Sequence, residues 1–380
     1  MGEAIKQVAL ELQRCYGKRS GIGIYSYELA RRMHDEDGLC FYGNLFNFLG
    51  RNDNRDALEG LDFPIRERHM MPYGVYRRTW NWLPVSYERI FPGKADLTVF
   101  FNYIIPPRIK GLTMTTVYDM AFLRFPKTVN RRNLRRIHTG IGYSVKRSSR
   151  VLTISEFSRK EIVELLGVPE NKVVVIPCAA GISSELTSHE AIEEKFGVYR
   201  PYILYVGTIE PRKNLVRLLN AFSRLKAQEG IPHQLVIAGE KGWNASAFDE
   251  ALANNAFQKD IILTGYVSNV EKNALYKYAD TFVFPSLYEG FGIPPLEAMH
   301  WGCPVVAADA ASLPEVVGDA AELVDPLDET AIAAGILRIL NDRQYAETLK
   351  SRGYRQAERY SWNTSAEKFR SVCTEVLNER

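Results

Sequence analysis

Hydrophobic patterning is plainest in the second half of the chain, where apolar runs at Tyr202–Val206, Gln234–Ala238, Ile261–Thr264, Thr281–Phe284 and Pro304–Ala307 alternate with amphipathic stretches. Short uninterrupted apolar runs predict strands buried on both faces, and the stretches between them have helical length and spacing. Strand and helix in alternation predict a parallel, doubly wound sheet, whose ligands bind beyond the carboxyl ends of the strands. The loops that follow these strands are where chemistry is expected.

The first half repeats the pattern with more noise. Val8–Leu12 predicts a strand, then a polar loop and a helix from about Gly23 to Met33, with further strands near Leu97–Phe101, Met114–Val117 and Val151–Ile154. This is read as a second Rossmann-like unit. Residues 178–199 hold no strand-like run and shift toward small and acidic residues, as an interdomain connection does. The boundary is placed near residue 185, giving domains 1–185 and 186–361. The 380 residues suit two domains of ~180 residues, each able to bury a core. The fold class read here is α/β, with two Rossmann-like doubly wound domains.

Composition adds exclusions. Apolar, charged, Gly and Pro contents are near globular averages and no fixed-period repeat occurs, which excludes disordered, fibrous and solenoid classes. The opening MGEAIKQVALELQ has no long apolar region and no window approaches a membrane span, so a cytosolic protein is expected. Cys15, Cys40, Cys178, Cys303 and Cys373 are scattered without paired spacing, which points to reduced thiols rather than disulfides or a thiolate metal site.

The net charge of +3 hides an asymmetry: residues 1–180 carry 28 Lys and Arg against 18 Asp and Glu, residues 181–380 carry 20 against 27. Residues 101–150 alone hold 11 basic side chains and a single acid, Asp119. The first half is therefore expected to attract an anionic ligand or surface. Arg131, Arg132, Arg135, Arg136, Lys146, Arg147 and Arg150, with Trp80, Trp82, Tyr87 and Phe91, suggest an anionic membrane or a lipid-phosphate acceptor. A solvated helix face and ordinary core aromatics explain the same residues. Nucleic acid is not expected, because no helix-turn-helix, zinc-finger or RNP-type motif accompanies the charge.

Three motifs carry candidate chemistry. GKRSGIGIYSYEL follows the first strand and opens a helix, placing Gly21 and Gly23 where backbone approaches a ligand and helix-start amides face an anion. Ser26 stands where a dinucleotide fingerprint needs its third glycine, which argues against a dehydrogenase; a tight turn without a ligand is the other reading. In YVGTIEPRKNL, Arg212 and Lys213 fall at the ligand-binding edge of the sheet, a fork and a point charge suited to a diphosphate, or else a solvated basic turn.

The third motif, FPSLYEGFGIPPLEAMHWGCP, is the most specific. Glu289 lies in a turn after a strand, Gly290 and Gly292 free the backbone, and Pro294–Pro295 start a helix expected to carry Glu297 in its first turn. Two carboxylates thus bracket a Gly-rich turn, where helix amides favour phosphate and carboxylates accept hydrogen bonds from sugar hydroxyls. Glu297 alone is also explained as a complement to the helix dipole.

At these residues the chain resembles family 4 of the glycosyltransferases, retaining enzymes with the GT-B fold, and within it the mannosyltransferase-type members. The resemblance spans nearly the whole chain: the SGIG loop, YDMAFLRFP, LTISEFSRKEI, GTIEPRKN, the Glu289 and Glu297 pair, SLPEVVGDAAELVDP and a late YSW. It implies two domains facing a central cleft, with a helix over about 362–380 packing back on the first. It implies a hexosyltransferase that moves a hexose from a nucleotide diphosphate sugar, GDP-linked ahead of UDP-linked, to a glycan or lipid-linked acceptor in cell-surface polysaccharide synthesis such as that of O-antigen. Location is then cytoplasmic and peripheral at the inner membrane face.

Carried over by position, the resemblance implies that Arg212 and Lys213 neutralise the diphosphate, Glu297 binds the ribose and Glu289 lies at the transferred hexose. The amides of Gly290, Phe291 and Gly292 contact hexose and phosphate, the turn at Gly21–Gly23 closes on the diphosphate, Thr208 lies in the donor loop and Asp119 lines the acceptor side. Front-face displacement needs no enzymic nucleophile, and no metal or other cofactor is expected. Asp35–Glu36–Asp37 is read as a solvated turn. Many relatives carry Arg at the Thr208 position and His at the Tyr118 position, so a non-catalytic sugar-nucleotide-binding subunit is the second reading.

Overall fold

A computed structural model describes residues 5–17, 21–36, 38–50, 55–82, 85–181 and 184–379. The chain forms two compact units, one of Met1–Met120, Arg131–Cys178 and Trp362–Arg380, the other of Ala121–Asn130 and Ala179–Ser361.

In the first unit seven strands, β1 (Lys6–Glu11), β2 (Leu39–Phe46), β3 (Ile65–Arg68), β4 (Leu97–Phe100), β5 (Leu112–Thr116), β6 (Arg150–Thr153) and β7 (Val173–Val175), form one sheet in the order β3-β2-β1-β4-β5-β6-β7. Every strand pair described in it is parallel. The interior strand β1 is fully buried at Val8, Ala9 and Leu10, which is why its apolar run was legible. The edge strand β3 reads IRER and is half-buried throughout. It therefore offers no apolar run and was not anticipated; β2 and β7 were also missed, although β2 is buried along nearly its whole length.

The first helix spans Gly21–Ala30, so Gly21 and Gly23 lie in its opening turn rather than in a preceding loop; the adjoining Lys18, Arg19 and Ser20 fall outside the described residues. The helix Trp362–Asn378 belongs to this unit, with Trp362 edge-on to Tyr25 at 6.0 Å, Phe369 beside Phe101 at 5.8 Å, and Ser365 donating to the Pro177 carbonyl. Aromatic pairs of this kind contribute about 0.5–1.5 kcal/mol beyond their buried area.

The basic helix Arg131–Arg147 corrects the surface reading. Arg131, Arg132, Arg135 and Lys146 are exposed, but Arg147 donates to the carbonyls of Ile109 and Gly111 and Arg150 pairs with Glu379. Trp80, Tyr87 and Phe91 are buried in the core, leaving Trp82 as the exposed member of that aromatic set. The acidic turn is structural: Asp35 accepts from the Phe41 amide and Glu36 pairs with Arg370, while Asp37 lies outside the described residues.

The second unit has six strands, β8 (Tyr202–Val206), β9 (Gln234–Ala238), β10 (Ile261–Gly265), β11 (Thr281–Phe284), β12 (Val305–Ala308) and β13 (Ala321–Val324), in the order β10-β9-β8-β11-β12-β13. This is the doubly wound order in which the chain turns one way from β8 and the other way at β11, so their carboxyl ends form the switch point. The helix Leu215–Glu229 returns β8 to β9, burying Leu215, Leu218, Leu219, Phe222 and Leu225 at helical spacing, and ends on Gly230 at φ 60°. Phe222→Ala would remove about 3–5 kcal/mol from this packing. The stretch 178–199, read as an irregular connection, contains the helix His189–Phe196, capped by the Ser188 hydroxyl and closed by Gly197 at φ 68°. Small and acidic residues there reflect its caps and its solvent face.

Candidate active site

The switch point of the second sheet is built from two loops. The first leaves β8 at Gly207, whose φ of 153° disfavours a side chain, and whose carbonyl oxygen would stand 2.1 Å from a Cβ on Gly239, so Gly239 must be glycine as well. A tight turn follows over Pro211–Lys213 and closes at Asn214, left-handed at φ 63°. Asn214 is buried, and its amide donates to the carbonyls of Pro285 (3.0 Å) and Pro326 (2.6 Å). The same residue that ends the turn thus ties it to the loop leaving β11.

That second loop places Glu289 between two cations. Arg212 Nη1 lies 3.0 Å from Glu289 Oε2 and 2.5 Å from the Tyr288 carbonyl, Arg212 Nη2 lies 2.8 Å from Glu210 Oε1, and Lys213 Nζ lies 2.5 Å from Glu289 Oε1. Lys213 Nζ also stands 5.3 Å from the centre of the Phe284 ring. Burial pushes the Glu289 carboxyl pKa up, but Arg212 and Lys213 overcome it and hold it at about 2. Glu289 is an anion at any working pH, suited to fixing cations or meeting developing positive charge and unsuited to donating a proton.

Beyond Glu289 the backbone turns at Gly292, with φ 111° and a Cβ position 2.7 Å from Leu313 Cδ2, so only glycine fits. The buried Ser312 hydroxyl lies 2.9 Å from the carbonyl oxygens of both Glu289 and Phe291 and anchors the Gly290–Gly292 turn from behind. The helix Ile293–His300 starts immediately after, with Gly292 as its N-cap.

Glu297 is the fifth residue of that helix, and no acid stands in the first turn. The first-turn expectation is corrected, and with it the explanation as a dipole complement. Its carboxylate instead accepts from Lys272 Nζ at 2.7 Å and from the Tyr276 hydroxyl at 3.1 Å. Those two residues, four apart on the helix Asn269–Tyr278, form one face. Each oxygen of Glu297 keeps a lone pair for a further donor.

The sequence reading missed Glu210, Lys272, Tyr276 and Ser312. Their signal was weak, a lone charge or hydroxyl in a helix or loop, and only folding brings them against the motif residues.

In the first unit Asp119 follows the carboxyl end of β5, half-buried, and accepts from the Tyr103 hydroxyl at 3.2 Å. Gly21 and Gly23 open the helix after β1. Among the described residues no three His, Cys, Asp or Glu converge as metal ligands, and no helix is long and apolar enough to cross a membrane.

The family model for glycosyl transferases group 1 matches residues 188–356, which contain both loops of this switch point. The O-antigen chain mannosyltransferase B of Escherichia coli is 32% identical over 363 residues, covering 90% of this chain and 93% of that protein. The chain belongs to the group 1 glycosyltransferases. Among solved structures, the sucrose-phosphate synthase of Thermosynechococcus elongatus superimposes with a TM-score of 0.74 at 18% identity, over 99% of this chain and all of that one. Anabaena HepE, solved with UDP and glucose, gives 0.73 at 17% identity, over 97% of this chain and all of that one. Both likenesses are of fold, and the two parallel-sheet domains are those of the GT-B glycosyltransferases.

Two departures from many group members now have a place. Thr208 is exposed at the start of the β8 loop and brings no charge, while its carbonyl accepts from the buried Tyr205 hydroxyl. Tyr118 is buried, donates to the Phe101 carbonyl at 3.2 Å and packs edge-on against Tyr25. Burial pushes its hydroxyl far above the ordinary tyrosine range, so it stays neutral.

Proposed function

We propose that this glycosyltransferase moves mannose, with retention of anomeric configuration, from GDP-mannose onto a growing surface glycan of the O-antigen type. The observation that carries the reading is the 32% identity, over nearly the full length of both chains, with an O-antigen chain mannosyltransferase. A nucleotide-sugar donor class is supported by HepE, whose structure holds UDP and glucose. GDP over UDP follows the mannosyltransferase relatives.

In this reading the donor diphosphate lies on the β8 and β11 loops. Arg212 and Lys213 face it, the amides of Gly290, Phe291 and Gly292 add positive potential at the start of the helix Ile293–His300, and Glu297 takes the ribose hydroxyls. Glu289 fixes the two cations and faces the hexose. Because Glu289 is held ionised, it does not protonate the leaving group. The departing phosphate oxygen takes the proton of the incoming hydroxyl, and the protein supplies orientation and charge stabilisation. The charges of Arg212 and Lys213 with the helix terminus stand where a divalent cation otherwise would, so no metal is required. Thr208 contributes only backbone there, and Asp119 lines the acceptor side. The exposed Arg131, Arg132, Arg135 and Lys146 let the first unit meet an anionic membrane, where a lipid-linked acceptor resides.

Thermal shift with GDP, UDP, ADP and dTDP tests the donor site, since only a ligand of the native state raises the melting temperature. GDP is expected to give the largest rise. A larger rise with UDP would overturn the donor, and none with any of the four would overturn the site.

A further inference from the structure

The first sheet has its own switch point, between the carboxyl ends of β1 and β4; no role proposed above uses Glu11, Arg14 or Arg77 there, and Arg136 entered only as one of the basic set read from the sequence. Glu11 ends β1, is 3% exposed, accepts from the Gln13 amide with one oxygen, and has no partner for the other. Arg14, three residues on, donates one nitrogen to the Asn102 side chain at 3.3 Å in the loop after β4, and its Nε is buried without a partner. Arg77, from the helix Tyr73–Thr79, and Arg136, from the helix Arg131–Arg147, converge on the same place: Arg14 and Arg77 both act on the Glu11 charge, and both act on Arg136.

All three arginines are half-buried. The Arg77 and Arg136 guanidiniums have no hydrogen bond or ion pair among the described residues; Arg77 only stands 5.5 Å from the Tyr73 ring centre. Three mutually repelling cations around one carboxylate, partly withdrawn from water, are costly without an anion. Burial, with Arg77 and Arg14 adding to it, brings the Arg136 pKa down to about 10, and burial brings Glu11 up to about 7 despite its arginine neighbours. An arrangement that disfavours the charges of both Glu11 and Arg136 is what a ligand would relieve.

We infer that the switch point of the first sheet is a binding site for a phosphorylated sugar, whose phosphate is held by Arg14, Arg77 and Arg136 and whose adjacent hydroxyl bonds to Glu11. Guanidinium forks match phosphate oxygens two at a time, which suits a dianion to a net local charge of +2 or +3. The open Glu11 oxygen accepts from a hydroxyl when ionised and donates when protonated, which distinguishes a sugar phosphate from phosphate alone. The proposal deepens the glycosyltransferase reading by giving the acceptor a phosphate, and it rests on that reading only for calling the ligand an acceptor.

The test is direct binding with no donor and no turnover. The full-length protein is titrated calorimetrically with mannose 1-phosphate, with inorganic phosphate, with mannose, and with mannose joined through a diphosphate to a short alkyl chain. GDP is held saturating so that the donor site is occupied. Mannose 1-phosphate is expected to bind, mannose to show no binding, and inorganic phosphate to bind more weakly. Tighter binding of the alkyl diphosphate assigns the phosphate to a lipid carrier, and equal binding assigns it to a soluble sugar phosphate. Arg77→Ala and Arg136→Ala should each weaken binding about tenfold or more, and Glu11→Gln should erase the preference over inorganic phosphate. The GDP thermal shift, retained in each variant, shows that the protein is folded. Absence of binding by any phosphate compound, or unchanged affinity in both arginine variants, overturns the site while leaving the donor reading intact. Loss of the GDP shift in the wild-type protein overturns the donor reading without touching this one.

Discussion

Replacing Glu289 by Gln keeps the shape of the β11 loop and removes the charge that binds Arg212 and Lys213. The carboxyl has an ordinary pKa of 4.5 and is held at about 2 in the folded chain, with its side chain 10% exposed. At about 1.4 kcal/mol per pKa unit, ionisation of this one group stabilises the fold by about 3 kcal/mol at neutral pH. Because the folded value is depressed, that stabilisation is present above pH 4.5 and is lost as pH falls toward 2. Glu289→Gln should therefore lower unfolding stability by about 3 kcal/mol at pH 7, a drop of about 6–12 °C for a unit of this size. The gap to wild type should shrink to less than half by pH 3, where the wild-type carboxyl also loses its advantage. Urea titrations at both pH values, followed by the fluorescence of Trp243 and Trp301 in the second unit, measure it. A variant within 0.5 kcal/mol of wild type at pH 7, on the order of an ordinary surface substitution, would refute the reasoning, as would a penalty independent of pH.

Three further outcomes are expected. Glu297→Gln should raise the donor dissociation constant about tenfold with little change in kcat, as for a contact that persists through the reaction, whereas Glu289→Ala should act chiefly on kcat; steady-state kinetics with varied donor separates the two, and a change confined to donor KM in both would remove the role given to Glu289. Gly292→Ala should cost about 1–3 kcal/mol, from φ 111° and the clash with Leu313, and should weaken GDP binding with it; thermal melts with and without GDP read both effects, and an unchanged melt would show that the turn is not constrained. Transfer should persist in excess EDTA; activity abolished by chelator and restored by Mg²⁺ or Mn²⁺ would show that a metal completes the phosphate site.

Much of what the sequence discloses follows burial, although the buried β2 was missed and the part-exposed edge strand β10 was anticipated. β8, β9 and β11 lie at or next to the middle of their sheet, are covered on both faces, and appear as apolar runs with the observed bounds. The strands β3 and β13 are edges whose residues IRER and AELV face water in part, so a search for apolar runs passes over them. The loops after β8 and β11 were legible because glycine, proline and paired charge are local signals of a turn at a strand end. Glu210 and Lys272 were not, because a single acid or lysine becomes significant only when folding sets it within 3 Å of Arg212 or Glu297. The cluster of Glu11, Arg14, Arg77 and Arg136 spans three separate segments, and no spacing rule joins them.

The proposed activity is transfer of a hexose, with retention, from a nucleoside diphosphate sugar. The purified protein incubated with GDP-α-mannose, with water or an added glycan as acceptor, gives a first-formed product whose anomeric proton is read by NMR before mutarotation. The α product is predicted. A β product would contradict retention, and no consumption of GDP-mannose or of any other nucleoside diphosphate sugar would contradict the assignment of the site itself.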